Sequence, residues 1–305
     1  WPLYEIDDRY REYETQIIEC YDKFIDYAPR PIQRVDIPFG DNALSGMLHL
    51  PRTPKAGERF PCVVNIGGMD GCKENVVAMY GDPYLERGFA ILAMDGPGQG
   101  ECPGRGIFVD PFNHGPAAVA TFDWLETHDA IDANRLTIRA TSFGTYFSLC
   151  AAAELGDRVK GVAQAFVIHE PDCYTIFNVG SPTFRMRFMF MADVTNDEAF
   201  DQFAKGFDPR PVAEKVSCPI LIVGGEDDEL SPIEHTLDVY NCIKSSKKLV
   251  VYEGAKHSMG GATSVAQGPH FGHMMADWLL ARAEGRPLGP DENILVDMYG
   301  NSELR

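Results

Sequence analysis

The sequence predicts an α/β protein in which helices cover both faces of a mostly parallel sheet. Two apolar runs, Cys62–Ile66 and Phe89–Met94, are continuous rather than alternating, which is typical of strands buried on both faces. Helical patterns follow each run, and the alternation of strand and helix returns after residue 217. Antiparallel strands followed by strands that alternate with helices indicate a mostly parallel sheet covered by helices.

The other elements follow from local patterns. Apolar residues at helical spacing predict a helix over residues 3–27, which ends before Pro29 and Pro31. Arg34–Phe39 and Leu44–Leu50 alternate on either side of Gly40-Asp41-Asn42 and predict a hairpin. Further strands are expected at 135–138, 159–167, 219–223 and 248–252, and further helices at 74–87, 115–126, 146–155, 233–244 and 270–283.

The same patterns divide the chain into five segments. The expected segments are an N-terminal helix (1–30), a core (31–167), an insertion (168–216), the rest of the core (217–286) and an irregular C-terminal arm (287–305). The insertion breaks the strand–helix alternation and is rich in Phe, Met and Tyr. We therefore expect it to form a cap over the core.

Composition excludes several classes of function. The 305 residues carry a net charge of −18, so the chain lacks the clustered cations that bind nucleic acid or an anionic membrane. No apolar run approaches the length of about 18 residues that spans a bilayer.

The eight cysteines form no C-x-x-C pair and are interpreted as free thiols in a reducing, cytoplasmic compartment. The pair His270 and His273 has no acidic partners in sequence, and we expect neither a metal nor a cofactor. Because the first residue is Trp1, we expect the natural chain to begin earlier.

The most informative motif is a serine turn between a strand and a helix. Arg139-Ala140-Thr141-Ser142-Phe143-Gly144-Thr145 follows the strand predicted at 135–138 and precedes an Ala-rich helix. This is the layout of a nucleophile elbow, in which a tight turn raises the serine hydroxyl and only small residues fit beside it. Ala140 occupies the position where Gly is commoner, and Gly144 keeps the second small position. Ser142 is therefore a candidate nucleophile.

A serine nucleophile needs a base that takes its proton and a carboxylate that orients the base. Asp228 and Asp227 follow the strand predicted at 219–223, and the pattern Gly-x-x-Asp-x-x-x-Pro favours Asp228. A solvated acidic loop is the alternative. His257 follows the next strand in a Gly-rich loop, and the order Ser, Asp, His is that of one family of triads. His169 begins the insertion and is only a pocket candidate.

A further loop supplies candidates for the oxyanion hole. One backbone N–H is expected from Phe143, and a second from Met69 in the loop Gly67-Gly68-Met69-Asp70-Gly71. Gly68 has no side chain and would let a substrate approach the backbone; a plain turn is the alternative reading. The loop Asp95–Glu101 is unlike a dinucleotide loop, because Glu101 replaces the third glycine and Pro97 has no N–H.

With these motifs, the sequence resembles the α/β-hydrolase superfamily, and within it the group of 2,6-dihydroxypseudooxynicotine hydrolase and polyketide-cleaving hydrolases. The segments that carry the resemblance are Gly67–Glu74, Asp95–Glu101, the Ser142 turn and the loops of Asp228 and His257. The resemblance implies an α/β-hydrolase fold with an N-terminal helical segment and a cap, and it allows for a homodimer. It also implies an auxiliary catalytic role for Glu74, although an acidic residue at a helix N-terminus is favoured by the helix dipole alone.

The predicted function is that of a serine hydrolase acting on a carbonyl compound without a cofactor. The resemblance favours C–C bond hydrolysis of an aromatic or polyketide-like ketone. A carboxylesterase acting on a hydrophobic ester and a non-catalytic ligand-binding homologue are the alternatives. Aromatic residues of the insertion, among them Tyr174, Phe177 and Phe188, could line a pocket for such a substrate or could bury the cap on the core.

Overall fold

A computed structural model describes residues 4–305, and within them the strands form one mixed sheet. Its order is β1-β2-β4-β3-β5-β6-β7-β8-β9-β10, with antiparallel pairing at both edges and parallel pairing from β4 to β9. The strands are β1 (Ile32–Phe39), β2 (Asn42–His49), β3 (Phe60–Ile66), β4 (Ala90–Asp95), β5 (Ile131–Ser142), β6 (Val162–Val167), β7 (Ile220–Gly225), β8 (Lys247–Tyr252), β9 (Glu292–Val296) and β10 (Ser302–Leu304).

Helices pack on both faces of this sheet, as the sequence predicts. They are α1 (Asp8–Tyr27), α2 (Lys73–Tyr80), α3 (Asp82–Leu85), α4 (His114–Thr127), α5 (Gly144–Leu155), α6 (Pro182–Ala192), α7 (Asp197–Ala204), α8 (Pro209–Ala213), α9 (Ile233–Cys242), α10 (Thr263–Gln267) and α11 (Phe271–Ala283). Every residue of β3, β4 and β7 is buried, which explains why these strands are apolar apart from Asn65 and Asp95. None of the helices in this part of the chain is both long and apolar enough to cross a membrane.

The N-terminal elements follow the predictions closely. The hairpin is confirmed, because β1 and β2 pair antiparallel and Phe39 faces Asn42 across the turn. Helix α1 begins at Asp8, where the Asp7 carboxylate accepts a hydrogen bond of 2.9 Å from the Tyr10 N–H. Residue 3, where the sequence predicts the helix to start, lies outside the described residues. The helix predicted at 74–87 is divided into α2 and α3 at Gly81, where a Cβ would lie 2.5 Å from Val77 Cγ1.

The prediction of an irregular C-terminal arm over residues 287–305 is wrong. Residues after Pro287 instead add β9 and β10 to the sheet, with Val250 of β8 opposite Ile294 of β9. The short apolar run Ile294-Leu295-Val296 is the only strand signal in this segment. It follows a Pro- and Gly-rich stretch, so sequence pattern alone did not distinguish it from a loop.

The expected cap consists of short helices that follow β6. Residues 168–216 hold α6, α7, α8 and a π-helical turn at Thr175–Val179. Phenylalanines from this segment contact Phe143 of the core: the ring centroid of Phe143 lies 4.3 Å from that of Phe188 and 5.8 Å from that of Phe177. The insertion is thus attached to the core by aromatic packing directly behind the serine turn.

Candidate active site

Ser142 ends β5 in a strained backbone conformation. Its φ is 54°, a left-handed value that a residue with a side chain rarely adopts outside functional turns. Two residues further on, Gly144 is required, since a Cβ there would lie 2.3 Å from the Ile66 carbonyl oxygen. The Thr145 hydroxyl donates a hydrogen bond of 2.7 Å to the Ser142 carbonyl oxygen. These contacts hold the turn and leave the Ser142 hydroxyl at its apex.

The structure brings Ser142, His257 and Asp228 into one hydrogen-bonded chain. Ser142 Oγ lies 3.0 Å from His257 Nε2, and His257 Nδ1 lies 2.9 Å from Asp228 Oδ2. The three residues come from the ends of β5, β8 and β7, whose carboxyl ends meet at one edge of the sheet. In this arrangement the carboxylate can hold a proton on Nδ1, which leaves Nε2 able to accept the serine proton.

The carboxylate of Asp228 is fully buried and held by its own loop. Asp228 Oδ1 accepts hydrogen bonds from the backbone N–H groups of Leu230 at 2.9 Å and Ser231 at 3.0 Å. The side chain of His257 is 11% exposed and that of Asp228 is 0% exposed. The backbone N–H of His257 donates a hydrogen bond of 2.9 Å to Glu229. The imidazole is therefore held in place by the hydrogen bond of its backbone N–H to Glu229 and by the contact of Nδ1 with Asp228, and its Nε2 faces Ser142.

The candidate oxyanion hole lies between the serine turn and the loop after β3. A Cβ on Gly68 would lie 2.8 Å from Ser142 Cβ, so this loop passes directly beside Ser142. The backbone N–H groups of Met69 and Phe143 donate no hydrogen bond to another residue within residues 4–305. Two such N–H groups beside a serine hydroxyl could stabilise negative charge on a substrate carbonyl oxygen.

Two side chains hold this loop in a way that the sequence analysis did not predict. Gln99 Nε2 donates hydrogen bonds to the carbonyl oxygens of Gly67 at 2.7 Å and Gly68 at 2.8 Å. Arg187 Nε, from the cap helix α6, donates one of 3.1 Å to the Met69 carbonyl oxygen. Neither residue lies in a pattern with a recognisable function, and the only signal for Gln99 was its place in the loop after β4.

Glu74 lies in a buried cluster of charges. Its carboxylate is 2.8 Å from Lys73 Nζ, which also contacts Asp95 at 2.9 Å and Glu101 at 2.6 Å. Burial by itself would lower the pKa of Lys73, but the three carboxylates outweigh it and raise that pKa. Burial raises the pKa of Glu74, with a smaller contribution from the charge of Asp95. The contacts of Glu74 are thus those of an ion-pair network that links α2 to the loop after β4.

Glu74 also faces an apolar groove beneath α1. The groove has a volume of about 590 Å³ and is lined by side chains of α1, α2 and β2, including Tyr21, His49 and Val77. Burial lowers the pKa of His49 to about 4, so this histidine is neutral near pH 7. None of the triad residues lines the groove.

The predicted pocket residues of the cap lie in three different environments. His169 is fully buried, neither of its ring nitrogens has a hydrogen-bond partner in the described part of the chain, and burial lowers its pKa to about 3. Phe177 and Phe188 are buried in the aromatic cluster against Phe143. Tyr174 is 60% exposed. The described residues contain no group of three or more His, Cys, Asp or Glu side chains that could hold a metal ion.

Two family profiles each match more than half of the chain. The prolyl oligopeptidase family matches residues 115–285, and the FrsA-like esterase family matches residues 3–171. The first match covers Ser142, Asp228 and His257, and the second covers Met69 and Ser142.

Individual relatives are similar over shorter stretches. Hydrolase acrC of Aspergillus aculeatus is 31% identical over 180 residues, which are 53% of this chain and 40% of that protein. Hydrolase LUC6 of a Fusarium species is 33% identical over 140 residues, which are 44% of this chain and 33% of that protein. The chain therefore spans well under half the length of these relatives.

Among solved structures, 2,6-dihydroxy-pseudo-oxynicotine hydrolase aligns with a TM-score of 0.80. The sequence identity is 22%, and the alignment covers 94% of this chain and 78% of that one. At this identity the likeness shows the fold, and it confirms the predicted arrangement of sheet and helices. Together with the two family matches, it establishes that this chain belongs to the α/β-hydrolases, within the hydrolases and esterases that resemble prolyl oligopeptidases and FrsA.

Proposed function

We propose that the protein is a serine hydrolase in which Ser142 attacks a substrate carbonyl carbon. The observation that carries this proposal is the hydrogen-bonded chain from Ser142 Oγ through His257 to Asp228, with distances of 3.0 and 2.9 Å. A serine hydroxyl is a weak nucleophile, and it becomes reactive when a base of fixed tautomer takes its proton as the bond to carbon forms. The strained φ of Ser142 supports the same role.

In the proposed first step, the Ser142 oxygen bonds to the carbonyl carbon and its proton passes to His257 Nε2. The carbonyl π electrons move to oxygen, where the N–H groups of Met69 and Phe143 stabilise the negative charge. The tetrahedral intermediate then collapses, and the leaving group takes the proton from His257. Water, activated by His257, hydrolyses the acyl-enzyme and restores Ser142.

For the substrate, we propose an aromatic or polyketide-like ketone that undergoes C–C bond hydrolysis. Such a reaction requires a leaving carbon that is acidic enough to depart as a stabilised carbanion, as in a β-diketone, before His257 protonates it. The fold shared with 2,6-dihydroxy-pseudo-oxynicotine hydrolase supports this choice. Carboxylester hydrolysis is the second candidate, and the match to FrsA-like esterases favours it. The same triad would serve both reactions, with an alkoxide as the leaving group of an ester.

Labelling with a fluorophosphonate probe tests the proposed nucleophile. We expect intact-mass analysis to find one adduct on the wild type and none on Ser142→Ala. Exposed Ser217 provides a matched control, and Ser217→Ala should label like the wild type. A folded wild type that resists both the fluorophosphonate and a smaller sulfonyl fluoride would refute the proposal.

Parallel turnover assays then separate the two reactions. A panel of p-nitrophenyl esters and aromatic β-diketones should be compared by kcat/KM, with Ser142→Ala as the blank in each assay. Turnover of a β-diketone well above that of every ester would support C–C hydrolysis. The reverse order would favour the carboxylesterase.

A further inference from the structure

The loop beside Ser142 is held by its carbonyl groups, one residue after another. The carbonyl oxygens of Gly67 and Gly68 accept hydrogen bonds from Gln99 Nε2 at 2.7 and 2.8 Å, and that of Met69 accepts one from Arg187 Nε at 3.1 Å. The Gly68 oxygen also accepts a bond of 3.2 Å from the Gly71 N–H. Hydrogen-bond donors thus fix the carbonyl oxygens, and with them the orientation, of three consecutive peptide groups.

The orientation of a carbonyl group fixes the direction of the N–H in the same peptide group. A trans peptide is planar, and its C=O and N–H point in nearly opposite directions. The C=O of Gly68 and the N–H of Met69 belong to one peptide group, so a donor that holds the Gly68 oxygen directs the Met69 N–H to the opposite side. Gly68 lies against Ser142, with a virtual Cβ 2.8 Å from the serine Cβ.

We propose that Gln99 is the positioning residue of the oxyanion hole: its side-chain amide holds the Gly68 carbonyl and thereby aims the Met69 N–H at the substrate oxygen. This inference depends on the proposed function, because it gives Met69 its role in the reaction. Gln99 itself does not contact the reacting atoms and acts through the peptide group between Gly68 and Met69.

The amide of Gln99 is rigidly placed for this task. Its side chain is buried, at 2% exposure, and Gln99 Oε1 accepts a hydrogen bond of 3.0 Å from the Gly96 N–H. This bond distinguishes the oxygen from the nitrogen of the amide, so both N–H donors face the Gly67–Gly68 carbonyls. All the hydrogen-bonding groups of the side chain are used, and a flipped amide would lose three bonds.

The base of the same loop is anchored independently. Asp95 Oδ1 accepts a hydrogen bond of 2.8 Å from the Lys73 N–H, just beyond the oxyanion loop, and Asp95 Oδ2 lies 2.9 Å from Lys73 Nζ. The loop after β4 therefore holds the loop after β3 at two places, Gln99 at the glycines and Asp95 at the start of α2. Removal of the Gln99 donors should alter the orientation of the two peptide groups whose carbonyl oxygens belong to Gly67 and Gly68, while the anchor at Asp95 remains.

The test uses two substitutions at Gln99 and one matched control. Gln99→Glu keeps the size of the side chain but places a carboxylate against two carbonyl oxygens, and Gln99→Met keeps the length without any donor. Gln33→Glu makes the same change in charge on β1, where Gln33 Oε1 lies 3.2 Å from His128 Nε2. We expect Gln99→Glu to lower kcat/KM about 100-fold, near the effect of losing one oxyanion donor, and Gln99→Met to lower it less. KM should change less than threefold, and Gln33→Glu should behave like the wild type.

A trifluoromethyl ketone provides a readout that a purely structural role would not change. The Ser142 oxygen adds to its carbonyl carbon, the carbonyl oxygen becomes the hemiketal oxyanion, and the serine proton passes to His257. The pKa of that oxyanion, followed by the ¹³C shift of the labelled carbonyl carbon, reports the donors around it. We expect this pKa to rise by about one unit for each tenfold loss of stabilisation in the Gln99 variants.

The outcomes separate the inference from the proposed function. Near-normal kcat/KM in both Gln99 variants, or a loss of activity with an unchanged hemiketal pKa, would overturn the role of Gln99 while Ser142 remains the nucleophile. A wild type that forms no adduct, or a Ser142→Ala variant that retains activity, would overturn the proposed function and the role of Gln99 with it. If Gln99→Glu does not fold, Gln99→Met decides, because it adds no buried charge.

Discussion

Replacement of Gly68 by alanine should inactivate the enzyme by crowding Ser142, the proposed nucleophile. The added Cβ would lie 2.8 Å from Ser142 Cβ and 3.3 Å from Ser142 Oγ. Carbon atoms in contact prefer separations of about 3.5–4.0 Å, so the loop or the serine must move by about 1 Å. The effect is steric, since Gly68 is not among the glycines with a positive φ.

The magnitude follows from the geometry that the reaction requires. A displacement of about 1 Å at a reacting group can cost about 100-fold in rate, which corresponds to about 2.7 kcal/mol of barrier. The same movement would also shift the Met69 N–H, because Met69 follows Gly68 directly. We therefore expect kcat/KM to fall at least about 100-fold in Gly68→Ala, with a smaller change in KM.

The neighbouring glycine provides a matched comparison. A Cβ on Gly67 would meet Gly71 Cα at 3.6 Å and Gln99 Nε2 at 3.8 Å, which are ordinary contact distances. Gly67→Ala should therefore retain most of the activity, and thermal unfolding should show whether either variant is destabilised. The assays are kcat/KM on the best ester or ketone and the rate of fluorophosphonate labelling. Equal activity of Gly68→Ala and Gly67→Ala would refute the close approach of this loop to Ser142.

Three further substitutions test the interior. Lys73→Met should lower the free energy of unfolding in urea by about 3–5 kcal/mol, because it leaves buried carboxylates without their central cation; exposed Lys215→Met should change it little. Burial lowers the pKa of His49 to about 4, so as the pH falls the unfolded state takes up this proton before the folded state does. The contribution of neutral His49 to stability is therefore present above pH 6.5 and is lost as the pH falls towards 4. Between pH 7 and pH 5 this loss is about 2 kcal/mol, and urea unfolding of His49→Leu at the two pH values should lack it; an equal pH dependence in the variant would contradict the assignment. Phe188→Ala should lower the free energy of unfolding by about 3–5 kcal/mol, because it empties a buried aromatic site. Tyr174 is exposed, and Tyr174→Ala should change the free energy of unfolding by less than about 0.5 kcal/mol.

The parts of the site that lie at strand ends could be predicted from the sequence. Ser142, Asp228 and His257 each follow an apolar run that forms a strand, and parallel strands bring such positions to one edge of the sheet. Small residues around Ser142 marked the turn, because its backbone leaves no room for a side chain at Gly144. The chemistry of these residue types then limited the roles that each could have.

The parts that depend on tertiary contacts could not be predicted in this way. Ile294–Val296 is too short a run to be recognised as a strand without β8 beside it. The aromatic residues of the cap have the same composition whether they line a pocket or pack on the core, and only the contacts of Phe188 with Phe143 place it in the packing. Glu74 has a neighbouring lysine in sequence, but its position in a cluster with Asp95 depends on the fold of another loop.

The loop Asp95–Glu101 shows why exclusion of one function does not reveal the actual one. Glu101 and the missing N–H of Pro97 argued against a dinucleotide-binding loop, because Glu101 occupies the place of the third glycine and Pro97 cannot donate to a pyrophosphate. In the fold, the polar groups of this loop point inward: Glu101 contacts Lys73, Pro97 O lies 3.2 Å from His114 Nε2, and Gln99 holds the loop beside Ser142. A glutamine between two glycines carries no signal of this role in sequence, since its amide acquires a function only when two unsatisfied carbonyls lie within reach. The residues that position a catalytic loop are therefore best sought among the buried side chains that donate to its carbonyl groups.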